Sequence, residues 1–468
     1  MARGLRAATF TSKPSCILLC QTSHQPSSKS SALRWVRTQS TYTPTPSHSV
    51  AEKPTELSCS PLARLPTSNI LRSLFLSFFF TSSTLFRPGL AIFSGIANSQ
   101  SAFLNPDKNP IIRVLTRNIV YDQFCAGRNL AEIQRTSSLI RNLGFSGVAL
   151  CYGKEVQLGA DNKYHGRSVS MQEEIAQFRK GNLETVAMIK KGDWLAIKLT
   201  GAGQHVTQAL MEGKPAPPEF VEAMNEICRG VAAKDCRIWI DAEQQALQST
   251  IDSWTFDLMR QYNRGGKVLI YSTIQAYLKI AREKVQHQLQ LAADEGWTLG
   301  IKLVRGAYIA ADQRSKIHDT KADTDLSYNS IVDDLLRGQK FPVFDKNSNL
   351  KFELLLCGHN SQTIRTAAKL AAELASAGKL KVVPEFAQLQ GMADDIGCEL
   401  LQISDDAVKN SSSPAFVPKV YKCLTWGSIQ ECMQYLTRRL VENRGAADRM
   451  KEGAVQLRQE LKRRFVGA

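Results

Sequence analysis

Several familiar signatures are missing from this 468-residue chain, and each absence removes a class of function. The 11 cysteines contain no Cys-x-x-Cys pair, which argues against a zinc module and against a secreted disulfide scaffold. They read as reduced packing thiols, and no metal site is expected. No Gly-x-Gly-x-x-Gly turn follows any apolar run, so an open doubly wound dinucleotide sheet is disfavoured. There is no RGG tract, zinc-finger spacing or basic run interleaved with aromatics; no nucleic-acid partner is expected. No long membrane span is found either. The uncharged stretch Ser73–Phe86 has 14 residues, bounded by Arg72, Arg87 and Pro88, whereas a span needs about 20. It reads as a buried or membrane-surface helix, and the protein as soluble or peripheral.

Acidic residues are absent from the first 51 positions, which carry six Lys/Arg and many Ser, Thr and Pro. That composition is the signature of an organelle transit peptide and predicts mitochondrial import. The whole chain carries +16, so about +10 remains beyond this segment. Such an excess suits anionic lipid or an acidic cofactor. The terminal run Lys462–Arg464 reads as a solvated helix end. Composition is otherwise that of a globular protein, 43% hydrophobic and 22% charged.

Helical periodicity occupies 111–141, and then short apolar runs alternate with amphipathic stretches. The runs are Gly147–Tyr152, Trp194–Leu199, Arg237–Asp241, Lys267–Tyr271, Leu299–Arg305, Phe352–Cys357, Leu380–Phe386 and Val417–Tyr421. Each is largely apolar on both parities, as a parallel strand buried on two faces must be. Helical segments such as 218–233, 273–295 and 361–377 lie between them. Eight strand-then-helix units over about 300 residues predict an α/β fold, a (β/α)8 barrel with an N-terminal helical extension. The expected division is a transit segment 1–51, a helical region 52–140, the barrel 141–445 and a basic C-terminal helix 446–468.

Barrel chemistry sits at the C-terminal ends of strands, and there this sequence places polar groups that a core would reject: Lys198; Asp241 and Glu243; Lys302, Arg305 and Tyr308; His359 and Asn360; Gln388 and Gln390. Isolated ions cost several kcal/mol in an apolar interior, so these groups should face one another or a ligand. Asp241 and Glu243, two apart, could also share a face as paired acids, which keeps a hydrolytic barrel open. The last unit begins with a capping box, Ser428-Ile-Gln-Glu431, and Asn443-Arg-Gly445 is a plausible stop. Within it Tyr435, Arg438, Arg439 and Glu442 fall within about a 100° arc. Two adjacent arginines beside a tyrosine form a carboxylate clamp.

The motifs Lys302-Leu-Val-Arg-Gly-Ala-Tyr308 and Tyr435-Leu-Thr-Arg-Arg-Leu-Val-Glu-Asn443 resemble those of the proline dehydrogenases. So do Ile240-Asp-Ala-Glu243, Gln275-Ala-Tyr277, Gly358-His-Asn360 and Gln388-Leu-Gln-Gly-Met392, in the family's order. The spacing from Tyr421 to Tyr435 is similar to that of the mitochondrial branch. The resemblance implies FAD in the barrel and substrate under the last helix. It makes Arg438 and Arg439 the grips on the proline carboxylate, Lys198 and Asp241 partners in the pocket's charge network, and Asp241 and Lys302 the catalytic charges. Tyr308, Leu389, Tyr421 and Tyr435 would wall in the ring. Gln275, Arg305, Gly306, Ala307, Gly358 and His359, with Ala242 through its backbone, match cofactor-contacting positions. Lys302 stands where bacterial members carry Arg, which removes a bidentate contact. Glu155 is a candidate partner for Arg438 in a gate.

The implied reaction moves hydride from proline C5 to flavin N5, giving Δ1-pyrroline-5-carboxylate, with ubiquinone at the matrix side of the inner mitochondrial membrane as acceptor. Other readings are a second flavin barrel such as a methylenetetrahydrofolate reductase, and a basic matrix protein that binds RNA or lipid. An absorption spectrum taken before and after adding L-proline without oxygen separates these readings.

Overall fold

Short strands that are apolar on both faces satisfy their backbone and bury both surfaces only inside a ring of helices. The computed structural model describes residues 60–82, 84–153, 169–309, 311–411, 415–442 and 447–466. In it the strands form a closed parallel barrel in sequence order, β1 pairing with β8. They are β1 Gly147–Tyr152, β2 Trp194–Ile197, β3 Arg237–Ile240, β4 Ile270–Gln275, β5 Leu299–Val304, β6 Phe352–Cys357, β7 Pro384–Leu389 and β8 Lys419–Trp426. The predicted (β/α)8 barrel is therefore observed. The transit-like segment 1–51 and Glu155 lie outside the described residues.

The longer helices described ahead of the barrel are α1 Thr67–Thr81, α2 Phe86–Asn98, α3 Pro110–Thr116 and α4 Leu130–Asn142. The long helices that follow β1 to β8 are α5 Met171–Met188, α6 Pro218–Ala233, α7 Gln245–Tyr262, α8 Ala281–Glu295, α9 Lys321–Arg337, α10 Ser361–Ser376, α11 Asp394–Asn410 and α12 Ile429–Glu442; α13 Ala447–Val466 ends the chain. No described helix is long and apolar enough to cross a membrane. The apolar stretch near residue 70 is instead divided between α1 and α2. Ile70 is buried, but Leu71, Phe75 and Phe78 are at least half exposed.

Three strand assignments shift: the seventh begins at Pro384 rather than Leu380 and runs on to Leu389, and the other two move for identifiable reasons. The fourth strand begins at Ile270 rather than Lys267, because Gly265 and Gly266 form a turn with φ of 63° and 76°. The Asn263 side chain then accepts from the N–H groups of Leu269 and Ile270 and donates to the Ile270 carbonyl. What looked like helix over 273–280 is the end of this strand and a turn, and α8 starts at Ala281. The eighth strand runs five residues past Tyr421. Its continuation was obscured by Lys422, which faces away from the barrel axis and is about 1% exposed. The Asp394 carboxylate in the first turn of α11 meets the lysine at 2.6 Å.

The base of the barrel is sealed by an aromatic layer. Trp194 packs edge-on against Tyr271 and Tyr421, with centroids 4.7 and 5.8 Å away. The Arg237 guanidinium stacks 3.8 Å from the Trp194 ring and pairs with Glu385 at 2.7 Å. This plug leaves the opposite mouth for chemistry.

The buried Lys422–Asp394 pair gives a direct test of the outer packing. Lys422→Met leaves Asp394 as an uncompensated buried charge, and a loss of about 3–5 kcal/mol in urea unfolding is expected. The double change Lys422→Met with Asp394→Leu should recover most of that loss. Equal stability of the single variant and the parent would contradict the burial of this pair.

Candidate functional site

Side chains of all eight strands converge toward the barrel's C-terminal mouth, around a cavity of about 750 Å³. Period two sets which of them face inward. Thus Lys302 inside β5 points at the barrel axis and is 7% exposed, while Val304 and Arg305 at the strand end reach the rim. The Lys302 ammonium donates to the Asp241 carboxylate at 2.5 Å and lies 4.1 Å from the centre of the Trp239 ring. Burial opposes the lysine's charge, but Asp241 more than offsets it, and the pKa lies above the usual lysine value. Lys302 therefore stays cationic through the neutral range.

A second group lines the rim. The Lys198 ammonium donates to the Tyr308 hydroxyl at 2.9 Å. The Gln275 side chain donates to the Glu243 carbonyl and accepts from the Ala307 N–H at 3.3 Å, which fixes the turn after β5. That turn needs glycine. Gly306 has φ of 142°, and a Cβ there would collide with the Tyr277 ring. Arg305 donates to Asp325 and Thr363 at 2.8 Å each, while its remaining Nη1 is buried without a hydrogen-bond partner. The Leu389 N–H donates to His359 Nε2 at 3.0 Å. Gln388 is buried on the cavity wall with neither amide atom hydrogen-bonded.

The remaining wall comes from α12. Its expected capping box is present: Ser428 N–H donates to the Glu431 carboxylate, and Glu431 N–H to the Ser428 hydroxyl. Asp107, ahead of α3, also accepts from the N–H groups of Ile429 and Gln430. Below, Ile429, Cys432 and Met433 pack with Ala97, Tyr121 and Cys125. So held, α12 presents Tyr435 and Arg439 to the cavity, the guanidinium 5.3 Å from the tyrosine ring centre. Arg438 stands 6.0 Å from the same ring but is not among the lining residues.

The structure thus brings together Lys198, Asp241, Ala242, Gln275, Lys302, Arg305, Gly306, Ala307, Tyr308, Gly358, His359, Leu389, Tyr435 and Arg439 around one cavity. Two readings need correction. Tyr421 does not wall the cavity: it belongs to the aromatic plug at the base, where its hydroxyl accepts from Arg237 at 3.0 Å. Two residues further along β8, and so on the same inward face one layer higher, Cys423 holds the lining position. Ending the strand at Tyr421 hid it. Glu243 is not paired with Asp241. The chain has left β3 by then, and Glu243 accepts from the N–H and hydroxyl of Thr200, which removes the basis for a hydrolytic acid pair. Lys198 and Asp241 both line the cavity, the one reaching the Tyr308 hydroxyl and the other the Lys302 ammonium.

Cys151 and Cys357 line the cavity as well. Burial pushes the thiols of Cys357 and Cys423 up to about 12, so both are neutral and unreactive at pH 7. Among the described residues no cluster of His, Cys, Asp or Glu is placed to hold a metal. The cavity offers fixed cations and hydrogen-bond donors, an anionic partner for one cation, and aromatic walls. Such a site suits binding of an anionic, ring-shaped molecule.

Because its folded pKa is raised, Lys302 adds stability that is complete below the unfolded lysine pKa. That stability is lost only as pH rises through the higher folded value. Asp241→Asn removes the counter-charge, leaving burial to drive Lys302 toward neutrality. Melting temperature is then expected to vary between about pH 7 and about pH 10, a range in which the parent's Lys302 contributes no slope. Parallel melting curves for the two proteins across that range would contradict the pairing.

Known proteins resemble this chain. The proline dehydrogenase family model matches residues 133–452. A probable mitochondrial proline dehydrogenase of Schizosaccharomyces pombe is 29% identical over 403 residues, covering 75% of this chain and 80% of the relative. The mitochondrial proline dehydrogenase 1 of Arabidopsis thaliana is 27% identical, covering 88% and 89%. The human proline dehydrogenase 1 is 32% identical over 232 residues, 48% of this chain and 35% of the human protein. Among solved structures, proline utilization A from Bdellovibrio bacteriovorus superimposes with a TM-score of 0.59 at 15% identity, over 82% of this chain and 41% of that one. The match of the family model extends from within α4, through all eight strands, into α13, and this chain belongs to the proline dehydrogenase family.

Proposed function

We propose that this chain oxidises L-proline to Δ1-pyrroline-5-carboxylate using FAD held in the barrel mouth. The observation that carries the reading is a cationic, aromatic-walled cavity roofed by Arg439 and Tyr435 and floored by the Lys302–Asp241 pair. FAD fits the residues present. The cavity is long enough to pass from the barrel axis to the start of α10, and Arg305 Nη1 and the Gln388 amide are buried polar atoms awaiting partners. Gln275, Arg305, Gly306, Ala307, Gly358 and His359, with the backbone of Ala242, would hold it.

When bound, the flavin supplies the acceptor for the hydride from proline C5. The chain's own residues do the rest. Arg439, with Arg438 beside it, grips the substrate carboxylate, since a guanidinium matches a carboxylate in two parallel hydrogen bonds. Tyr308, Leu389 and Tyr435 enclose the pyrrolidine ring and exclude water. Correct placement matters, because a small displacement of the reacting carbon costs about a hundredfold. Lys302 is a fixed cation beside the centre where negative charge grows, and Asp241 keeps it charged; preorganised groups of this kind contribute ~3 kcal/mol each. The substrate amine must be neutral to react. With Lys302 cationic throughout, the rate should rise with pH as that amine deprotonates.

The finer setting is also part of the proposal. The first 51 residues act as a mitochondrial transit segment, and the curated relatives named above are mitochondrial. Electrons pass to ubiquinone while the protein rests peripherally on the matrix side of the inner membrane. Supporting this, large apolar side chains are exposed along 71–115, among them Phe75, Phe78, Ile92, Phe103 and Ile111, with Arg87, Lys108 and Arg113 in the same segment.

Absorption spectra taken anaerobically across a titration with L-proline test the reading. The purified protein should show a flavin band that bleaches, and Arg439→Met should need about tenfold more proline or above, ~1.4 kcal/mol, while its flavin content is unchanged. A colourless protein, or equal titrations for the two, would contradict it.

A further inference from the structure

The turn that carries Tyr308 is held by a carboxylate that the mechanism above does not use. Asp312, in the connection between β5 and α9, is 9% exposed. One of its oxygens accepts from the Gln245 N–H at 2.8 Å and the other from the Tyr277 hydroxyl at 2.5 Å. Gln245 is the first residue of α7, and Gln244 before it offers the helix no side-chain cap. A helix N-terminus favours a negative charge that accepts from its free N–H groups. Here that charge comes from 67 residues further along the chain. The cap of α7 is thereby also an anchor for the loop after β5.

Tyr277 extends the anchor to the cavity wall. Burial and the adjacent carboxylate push its hydroxyl up, so it stays protonated and donates to Asp312. Its ring lies against Gly306, where a Cβ would collide with it. Its N–H donates to the Arg305 carbonyl at 2.7 Å, and its carbonyl accepts from the His318 N–H at 2.8 Å. Within the turn, the Tyr308 carbonyl accepts from the N–H groups of Ala311 and Asp312 at 2.9 and 2.8 Å. Three segments thus meet at Asp312, and each delivers a cavity side chain within four residues of the junction: Asp241 before α7, Gln275 before Tyr277, and Tyr308 before Asp312. Asp312 lies outside the strand ladders, so its removal loosens the turn and leaves the barrel closed.

We propose that Asp312 is a positioning residue for the substrate: through Tyr277 and the start of α7 it fixes the turn after β5, so that Tyr308 keeps its place in the wall around the proline ring. This rests on the proline reading above, and the measurements separate the two.

Full-length, flavin-loaded protein is compared with its variants. Asp312→Ala removes both bonds and is expected to raise the KM for L-proline about tenfold, with kcat within about twofold of the parent. Asp312→Asn keeps an acceptor for Gln245 and can donate to the Tyr277 oxygen, so its KM should return to within about threefold. Tyr277→Phe deletes one bond while keeping the ring against Gly306, and should fall between the parent and Asp312→Ala. In a Tyr308→Ala background, Asp312→Ala should add less than about twofold, because the side chain it positions is gone. Hydrogen exchange, read by mass spectrometry, should quicken in Asp312→Ala over the peptide holding Ala307, Ala311 and Asp312, and stay as in the parent over the strands. A parent-like KM in Asp312→Ala, equal losses in the two backgrounds, or unchanged exchange at the turn would overturn the proposal. A parent that leaves L-proline unoxidised would overturn the functional reading and the substrate role with it, while exchange would still decide the anchoring of the turn.

Discussion

A lysine and an aspartate meet inside a closed barrel, and the organisation of the site follows from keeping that pair charged. An isolated ammonium in such an interior would lose its proton or disrupt the core. Lys302 avoids both because Asp241 lies at the end of β3, two strands away, with the Trp239 ring beneath it. The barrel makes that proximity rigid. The plug built on Trp194 and Arg237 seals the base, so the charge addresses only the open mouth.

The roof depends on the chain's two ends. Tyr435 and Arg439 are carried by a helix whose first turn is capped by Asp107 and whose apolar face rests on Ala97 and Tyr121, all from the segment before β1. The last helix is fastened to the same N-terminal region by Arg464. The elements outside the eight-fold repeat are thus structural supports for the cavity. The same region exposes phenylalanines at its outer surface, so one segment packs the roof and carries the apolar face.

How much of this could be read from the residues varies by element. The barrel was legible because a parallel strand buried on two faces has an apolar signature at either parity, and seven runs carried it plainly. Most of the site was legible because charges at strand ends are anomalous for a core: Lys302, Asp241 and Arg305 stood out for that reason. The eighth strand was harder. Lys422 reads as a terminator unless its partner Asp394, 28 residues earlier, is known, and with the strand cut short Cys423 went unseen, while Tyr421 entered the expected lining through the family resemblance alone. Cys423 itself carries no charge anomaly. Glu243 misled by its spacing from Asp241, since period-two reasoning fails once the chain leaves the strand and turns toward Thr200. Arg464 was invisible for another reason: its contacts with Leu62, Ala63, Leu65 and Thr67 reach back about 400 residues, which no local pattern encodes.

The account turns on where the substrate's anionic end is held. The most direct measurement is a crystal structure of the flavin-loaded protein with a proline analogue that cannot be oxidised. The carboxylate should lie against the Arg438–Arg439 pair, with the ring between Tyr435 and the flavin and Lys302 still joined to Asp241. A carboxylate bound elsewhere, with Arg439 turned away from it, would contradict the account.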